Sequence, residues 1–161
     1  MLSSGLSRRA VLLGLLALGA CGFAPAFGPG GTAEAWQNRV LVQAPETIFG
    51  FRMGAHLTQS LGVPSSADYT LTITPREAPV SATITEDGDI TRFNLTGNAD
   101  WVLADAQGAT VTKGLAQTFT SYSATGTTVA TQSAEDAARD RLAVALADLI
   151  IQQLLTQAPP P

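Results

Sequence analysis

Residues 90–103 read Ile90-Thr91-Arg92-Phe93-Asn94-Leu95-Thr96-Gly97-Asn98-Ala99-Asp100-Trp101-Val102-Leu103, and they separate into two faces at a period of two. Phe93, Leu95, Ala99, Trp101 and Leu103 fall on one side, and Arg92, Asn94, Thr96, Asn98 and Asp100 on the other. Successive side chains of a strand point to opposite faces, so this is a long strand with one buried surface and one wetted surface. An antiparallel sheet packed on one side only has this pattern. Upstream, Glu86-Asp87-Gly88-Asp89 offers residues that tolerate a tight reversal, which predicts a hairpin with the strand before it. Downstream, Asp105-Ala106-Gln107-Gly108 predicts a second reversal. The rest of the chain should therefore be arranged around a meander of strands.

Moving outward, Tyr69, Leu71 and Ile73 alternate with Thr70, Thr72 and Thr74, a strand signal that Pro75 and Pro79 interrupt. Either the strand bends there, or it restarts at Ala82 and Ile84 as an edge with missing donors. On the other side, Val111, Leu115 and Phe119 share a parity with Lys113 and Gln117, so the fourth strand is expected to be twisted or bulged near Gly114. A short first strand is expected over residues 38–44, closed by Pro45. Met53, Leu57 and Leu61 recur every four residues from about Phe49, which predicts a helix that Gly62 and Pro64 stop. Residues 121–132 are small and polar and read as a loop. Ser133 with Asp136 three residues on resembles a capping box, and Leu142, Leu146, Leu149, Ile150 and Leu154 then form the apolar face of a closing helix. The fold class that follows is α+β: a two-layer sandwich of about four mostly antiparallel strands, covered on one face by two helices, in the order βαβββα. One domain over residues 37–157 fits a chain of 161 residues.

The first twenty residues belong to export rather than to the fold. Arg8 and Arg9 precede an apolar run over residues 10–18, too short for a membrane span. It ends in Leu18-Gly19-Ala20-Cys21, which resembles the lipobox of bacterial lipoproteins, whose cysteine is acylated and becomes the mature N-terminus. Cys21 is the only cysteine, so no intramolecular disulfide can form. Acyl chains contribute about 0.8 kcal/mol per buried methylene, and two or more of them make a stable anchor. Gly22 stands where lipoproteins retained at the inner membrane commonly carry Asp, which points to the outer membrane, with the domain in the periplasm. Ser7-Arg8-Arg9 leaves Sec and twin-arginine export both open. Residues 21–36 read as a glycine- and proline-bearing tether, and residues 158–161 as a proline-rich tail. Without Arg8 and Arg9, seven basic residues remain against thirteen acidic ones, a balance of −6 that argues against a nucleic-acid partner.

Catalytic chemistry finds no constellation. His56 is the only histidine, lies within the first predicted helix, and has no nucleophile or orienting acid at a recognisable spacing. Residues 86–89 are too short for a calcium loop, and no phosphate-cradling or paired-cysteine motif occurs, so neither metal nor cofactor is expected. The scarce cations are the better candidates. Arg92 and Lys113 are either solvated surface charges or contacts to phosphate or carboxylate, for which arginine offers two parallel hydrogen bonds. Asn94, beside Arg92 on the polar face, and Tyr122 complete the candidate ligand- or partner-binding set.

Several segments in order resemble the LPS-assembly lipoprotein family LptE, in an alphaproteobacterial form. They are Cys21-Gly22-Phe23 with Pro25, Thr91-Arg92-Phe93-Asn94-Leu95 continuing to Trp101-Val102-Leu103, Ser121-Tyr122, and Ala134-Glu135-Asp136-Ala137-Ala138. The resemblance implies a two-layer domain that plugs the lumen of the outer-membrane β-barrel LptD and helps deliver lipopolysaccharide to the outer leaflet. The chain departs from the family's pattern in being acidic and carrying a single lysine, which bears on direct glycolipid contact more than on the plug role. The other reading left open is an envelope lipoprotein serving as a binding module or scaffold without a barrel partner.

Overall fold

The computed structural model describes residues 31, 33–84, 90–124 and 127–157. The elements are β1 (Val40–Gln43), α1 (Ile48–Leu61), β2 (Tyr69–Ile84), β3 (Ile90–Asp105), β4 (Thr110–Ser123) and α2 (Thr128–Leu155), the expected βαβββα order. One open sheet runs β1-β2-β3-β4. β1 lies parallel to β2, as a helical crossover between them requires, and the two remaining pairs are antiparallel. Both helices pack on the same face. Cys21 and the reversal predicted at Glu86-Asp87-Gly88-Asp89 lie outside the described residues.

The core is where the reading of residues 90–103 places it. Leu95, Ala99, Trp101 and Leu103 are buried, together with Leu71 and Ile73 of β2. Above them lie Met53, Leu57 and Leu61 of α1, and Leu142, Leu146, Ile150 and Leu154 of α2. Trp101 lies across β4 because Gly114 is opposite it: a Cβ there would stand 2.6 Å from Cζ2 of the indole. The indole N–H donates to Gln153 Oε1 of α2 at 2.7 Å, so the ring is buried with its polar atom satisfied. Gly62, at φ +81°, ends α1 in the left-handed region where a side chain would be strained.

Other details differ from expectation. β2 is not broken at Pro75 or Pro79; both stay paired in register with Ala99 and Leu95 of β3. A spacing of four puts the two proline nitrogens on one side of the strand, and β1 ends at the level of Thr72, so that side is an open edge where no donor is needed. β4 has its irregularity at Leu103/Ala104 of β3 rather than at Gly114. It also extends through Ser123, into the stretch expected to be loop, and α2 starts at Thr128 rather than after Ser133. Thr127 is the cap, its hydroxyl accepting from the Ala130 N–H at 3.3 Å. Ala33 and Trp36, at the end of the segment read as tether, are buried, and Trp36 meets the Tyr69 ring edge-on at 5.5 Å.

Candidate functional site

Among the described residues no element covers the second face of the sheet, which is four strands wide beside β1 and three beyond it. At its centre Asn98 lies between Arg76 of β2 and Gln117 of β4. Arg76 reaches diagonally to Asp100 at 2.8 Å, and Thr96 donates its hydroxyl to the Ala78 carbonyl at 3.0 Å. Threonines 72 and 74 continue the polar character along β2. Around this centre stand exposed apolar side chains: Val80 on β2, Val102 on β3, and Leu115 and Phe119 on β4. Phe119 is 66% exposed, which sets it apart from a core residue that protrudes at one edge. The surface is therefore polar and studded with a few apolar groups.

Arg92 is exposed on this face opposite Ser123, and Asn94, half-buried, sits two residues along opposite Ser121. Lys113 is exposed on the same face opposite Val102. At about 3.3 Å per residue, the ten positions between Lys113 and Ser123 put Lys113 and Arg92 about 33 Å apart, too far to share one anionic group. Tyr122 belongs to the other face: it is buried and stacks on Phe93 with ring centroids 5.4 Å apart. Burial, aided by the charge of Glu135 and opposed by Arg139, pushes its phenol pKa up. The predicted set is thus split, with Arg92 and Asn94 together, Lys113 at the far end, and Tyr122 inside.

His56 joins the two helices, its Nε2 standing 2.8 Å from Asp148 Oδ1, and Arg52 reaches Asp140 at 3.2 Å one turn earlier on α1. Among the described residues no cluster of three or more histidine, cysteine or acidic side chains could hold a metal. A cleft of about 420 Å³ opens at the start of α1, between Ile48, Arg52, Pro75 and Arg139. Its cations are already engaged: Arg139 meets Glu135 and lies 3.3 Å from both Glu77 and Asp136. Burial alone lowers the Arg139 pKa, but those three carboxylates outweigh it and the net shift is upward. A site so neutralised offers little to an anion.

The mixed parity of β4 left the face of Leu115 and Phe119 open in the sequence, and the structure puts both on the outer face. A signal was present, because Lys113 and Gln117 share their parity; the conflict marks the outer face.

Residues 38–154 match the model of the LptE family, described as lipopolysaccharide-assembly. Among solved structures, a lipoprotein from Caulobacter crescentus CB15 is similar at 25% identity, with a TM-score of 0.64 over 77% of this chain and 93% of that one. Rare lipoprotein B from Shewanella oneidensis has 13% identity and a TM-score of 0.58 over 74% of this chain and 94% of that one. A minor lipoprotein from Acinetobacter baumannii has 18% identity and a TM-score of 0.57 over 76% and 97%. At those two identities the likeness bears on the fold. No curated protein sequence matches the chain. Among the described residues no helix is long and apolar enough to cross a membrane.

Proposed function

The chain belongs to the LptE lipopolysaccharide-assembly family, and from that premise we propose that it is an outer-membrane lipoprotein that plugs a β-barrel of the LptD kind and assists lipopolysaccharide insertion into the outer leaflet. Acylated Cys21 is the anchor in this reading, and the domain faces the periplasm. The observation that carries it is the uncovered sheet face, rich in threonine, asparagine and glutamine with scattered apolar groups. The lumen of a membrane barrel is polar, and a guest of this kind can exchange its water for lumen side chains at little desolvation cost. The role is structural: the chain offers shape and hydrogen-bonding groups, and needs no catalytic residue or cofactor. Arg92 and Asn94 lie near the start of β3, where they can meet phosphate or carboxylate of the glycolipid or the barrel.

Affinity purification of the intact lipoprotein from outer membranes should recover a large barrel in one-to-one ratio. Arg92→Glu should weaken that recovery, or lipopolysaccharide binding, more than Arg92→Ala, because it replaces attraction to an anion with repulsion. The melting temperature should be unchanged in both. If depletion leaves barrel assembly and surface lipopolysaccharide intact, the reading fails and an envelope scaffold without a barrel partner takes its place.

A further inference from the structure

The two lips of the sheet are finished differently. On an edge strand, alternate residues point their N–H and C=O groups away from the sheet. On β4 these are the odd-numbered ones, since the outward carbonyls of Leu115 and Ser121 accept from α2: Gln153 Nε2 at 3.1 Å and the Arg141 guanidinium at 3.4 Å. Between these caps, Gln117 and Phe119 direct backbone donors and acceptors outward with no partner among the described residues. β2 presents Pro75 and Pro79 on its open lip, which deprives an incoming strand of donors there. β4 carries no such block.

Side chains at the β4 lip add two further observations. Leu115 and Phe119 stand exposed beside the open backbone groups. Of the seven basic residues after the signal sequence, Arg39, Arg52, Arg76 and Arg139 pair with carboxylates. The three with no carboxylate partner among the described residues are Lys113, Arg141 and Arg92, and all are placed at the β4 side: on the strand, on α2 against Ser121, and on β3 opposite Ser123. In an acidic chain, the unneutralised positive charge is concentrated at the two ends of the unguarded edge.

We propose that residues 115–121 of β4 receive an extended peptide segment of a partner protein as a fifth strand, one with alternating apolar residues and carboxylates flanking them. Its backbone would bond to Gln117 and Phe119, its apolar side chains would pack on Leu115 and Phe119, and its carboxylates would meet Lys113 and Arg141. A second copy of this chain fits poorly. Antiparallel self-pairing centred on Gln117 would set Lys113 of one copy against Ser121 and Arg141 of the other, like charge facing like. The inference is independent of the barrel reading, since it needs only the β4 lip and its charges.

The test uses the full chain, isotopically labelled in detergent, and two short synthetic peptides with the same valine–threonine core, one flanked by glutamates and the other by lysines. The glutamate peptide should shift the Gln117 and Phe119 amides and slow their hydrogen exchange. It should also bind about tenfold more tightly than the lysine peptide at low salt, with the gap closing as salt rises. Gln117→Pro removes an outward donor but no bond to β3. It should abolish binding while the amide spectrum of β2 and β3 stays unchanged. The proposal is overturned by absence of shifts at 117 and 119, by equal binding of both peptides, or by undiminished binding to a folded Gln117→Pro variant. Concentration-dependent self-association that protects those amides without peptide would overturn it too, by assigning the lip to a second copy.

Discussion

On β3, Trp101 is 1% exposed and the next residue, Val102, 38%. On β4, Ala116 is fully buried while its neighbour Leu115 is 45% exposed. The first pair keeps the larger side chain inside, and the second keeps it outside. The difference comes from how much room the inner face leaves. α2 packs more extensively on β4 than on β3, and the Trp101 indole already spreads over Gly114, so the inner positions of β4 near it accept only glycine and alanine. Close packing thus sends the larger apolar residues of β4 outward, where they become available to a partner.

The strongest way to break this comparison is at the indole. Trp101→Ala should cost about 3 to 5 kcal/mol in denaturant unfolding, combining lost transfer energy with a cavity and leaving Gln153 without its donor. A loss below about 1 kcal/mol would mean that Trp101 does not fill the space between β3, β4 and α2. A smaller effect should follow at the boundary of the layers, where Arg139 gathers Glu77, Glu135 and Asp136. Arg139→Ala leaves three carboxylates facing one another and should cost about 1 kcal/mol, diminishing as salt is raised. A cost independent of salt would make the packing of the arginine stem the cause instead.

How much of this was legible depended on whether local pattern or tertiary position decides each feature. The two faces of β3, the α1 stripe of Met53, Leu57 and Leu61, and the stop at Gly62 are local consequences of periodicity and backbone conformation, and they stand as read. Pro75 and Pro79 looked like breaks because nothing local says that β1 is only four residues long and leaves that edge open. The start of α2 was hidden because residues 128–130 are exposed and supply no apolar period, and Thr127 and Ser133 are both plausible caps. Tyr122, named in the candidate set, has its ring stacked on Phe93 inside, a contact across β3 and β4 that no local pattern announces. Of the candidate set, Arg92 and Asn94 were put on the polar face of β3 by parity, while the face of Lys113 and the 33 Å separating the ends of the set (about 3.3 Å per residue) depended on register.

The smallest expected effect is also the sharpest discriminator between the faces. Phe119 is the largest of the exposed outer-face apolar residues, and if size alone set its contribution, its loss should resemble that of a core aromatic. Its exposure says otherwise, because a ring already in water has little transfer energy to lose and leaves no cavity. Phe119→Thr, which keeps a strand-favouring residue, should change stability by no more than about 0.5 kcal/mol, as should Asn98→Ala at the centre of the same face. Thermal and denaturant unfolding of the isolated domain would check both. Should Phe119→Thr destabilise the monomer by an amount approaching that of Trp101→Ala, the ring must be packed within the domain, and its role as an exposed contact at the β4 lip is lost. If the stability is unchanged but peptide binding at the lip falls, the apolar groups displaced from the inner face of β4 serve binding rather than folding.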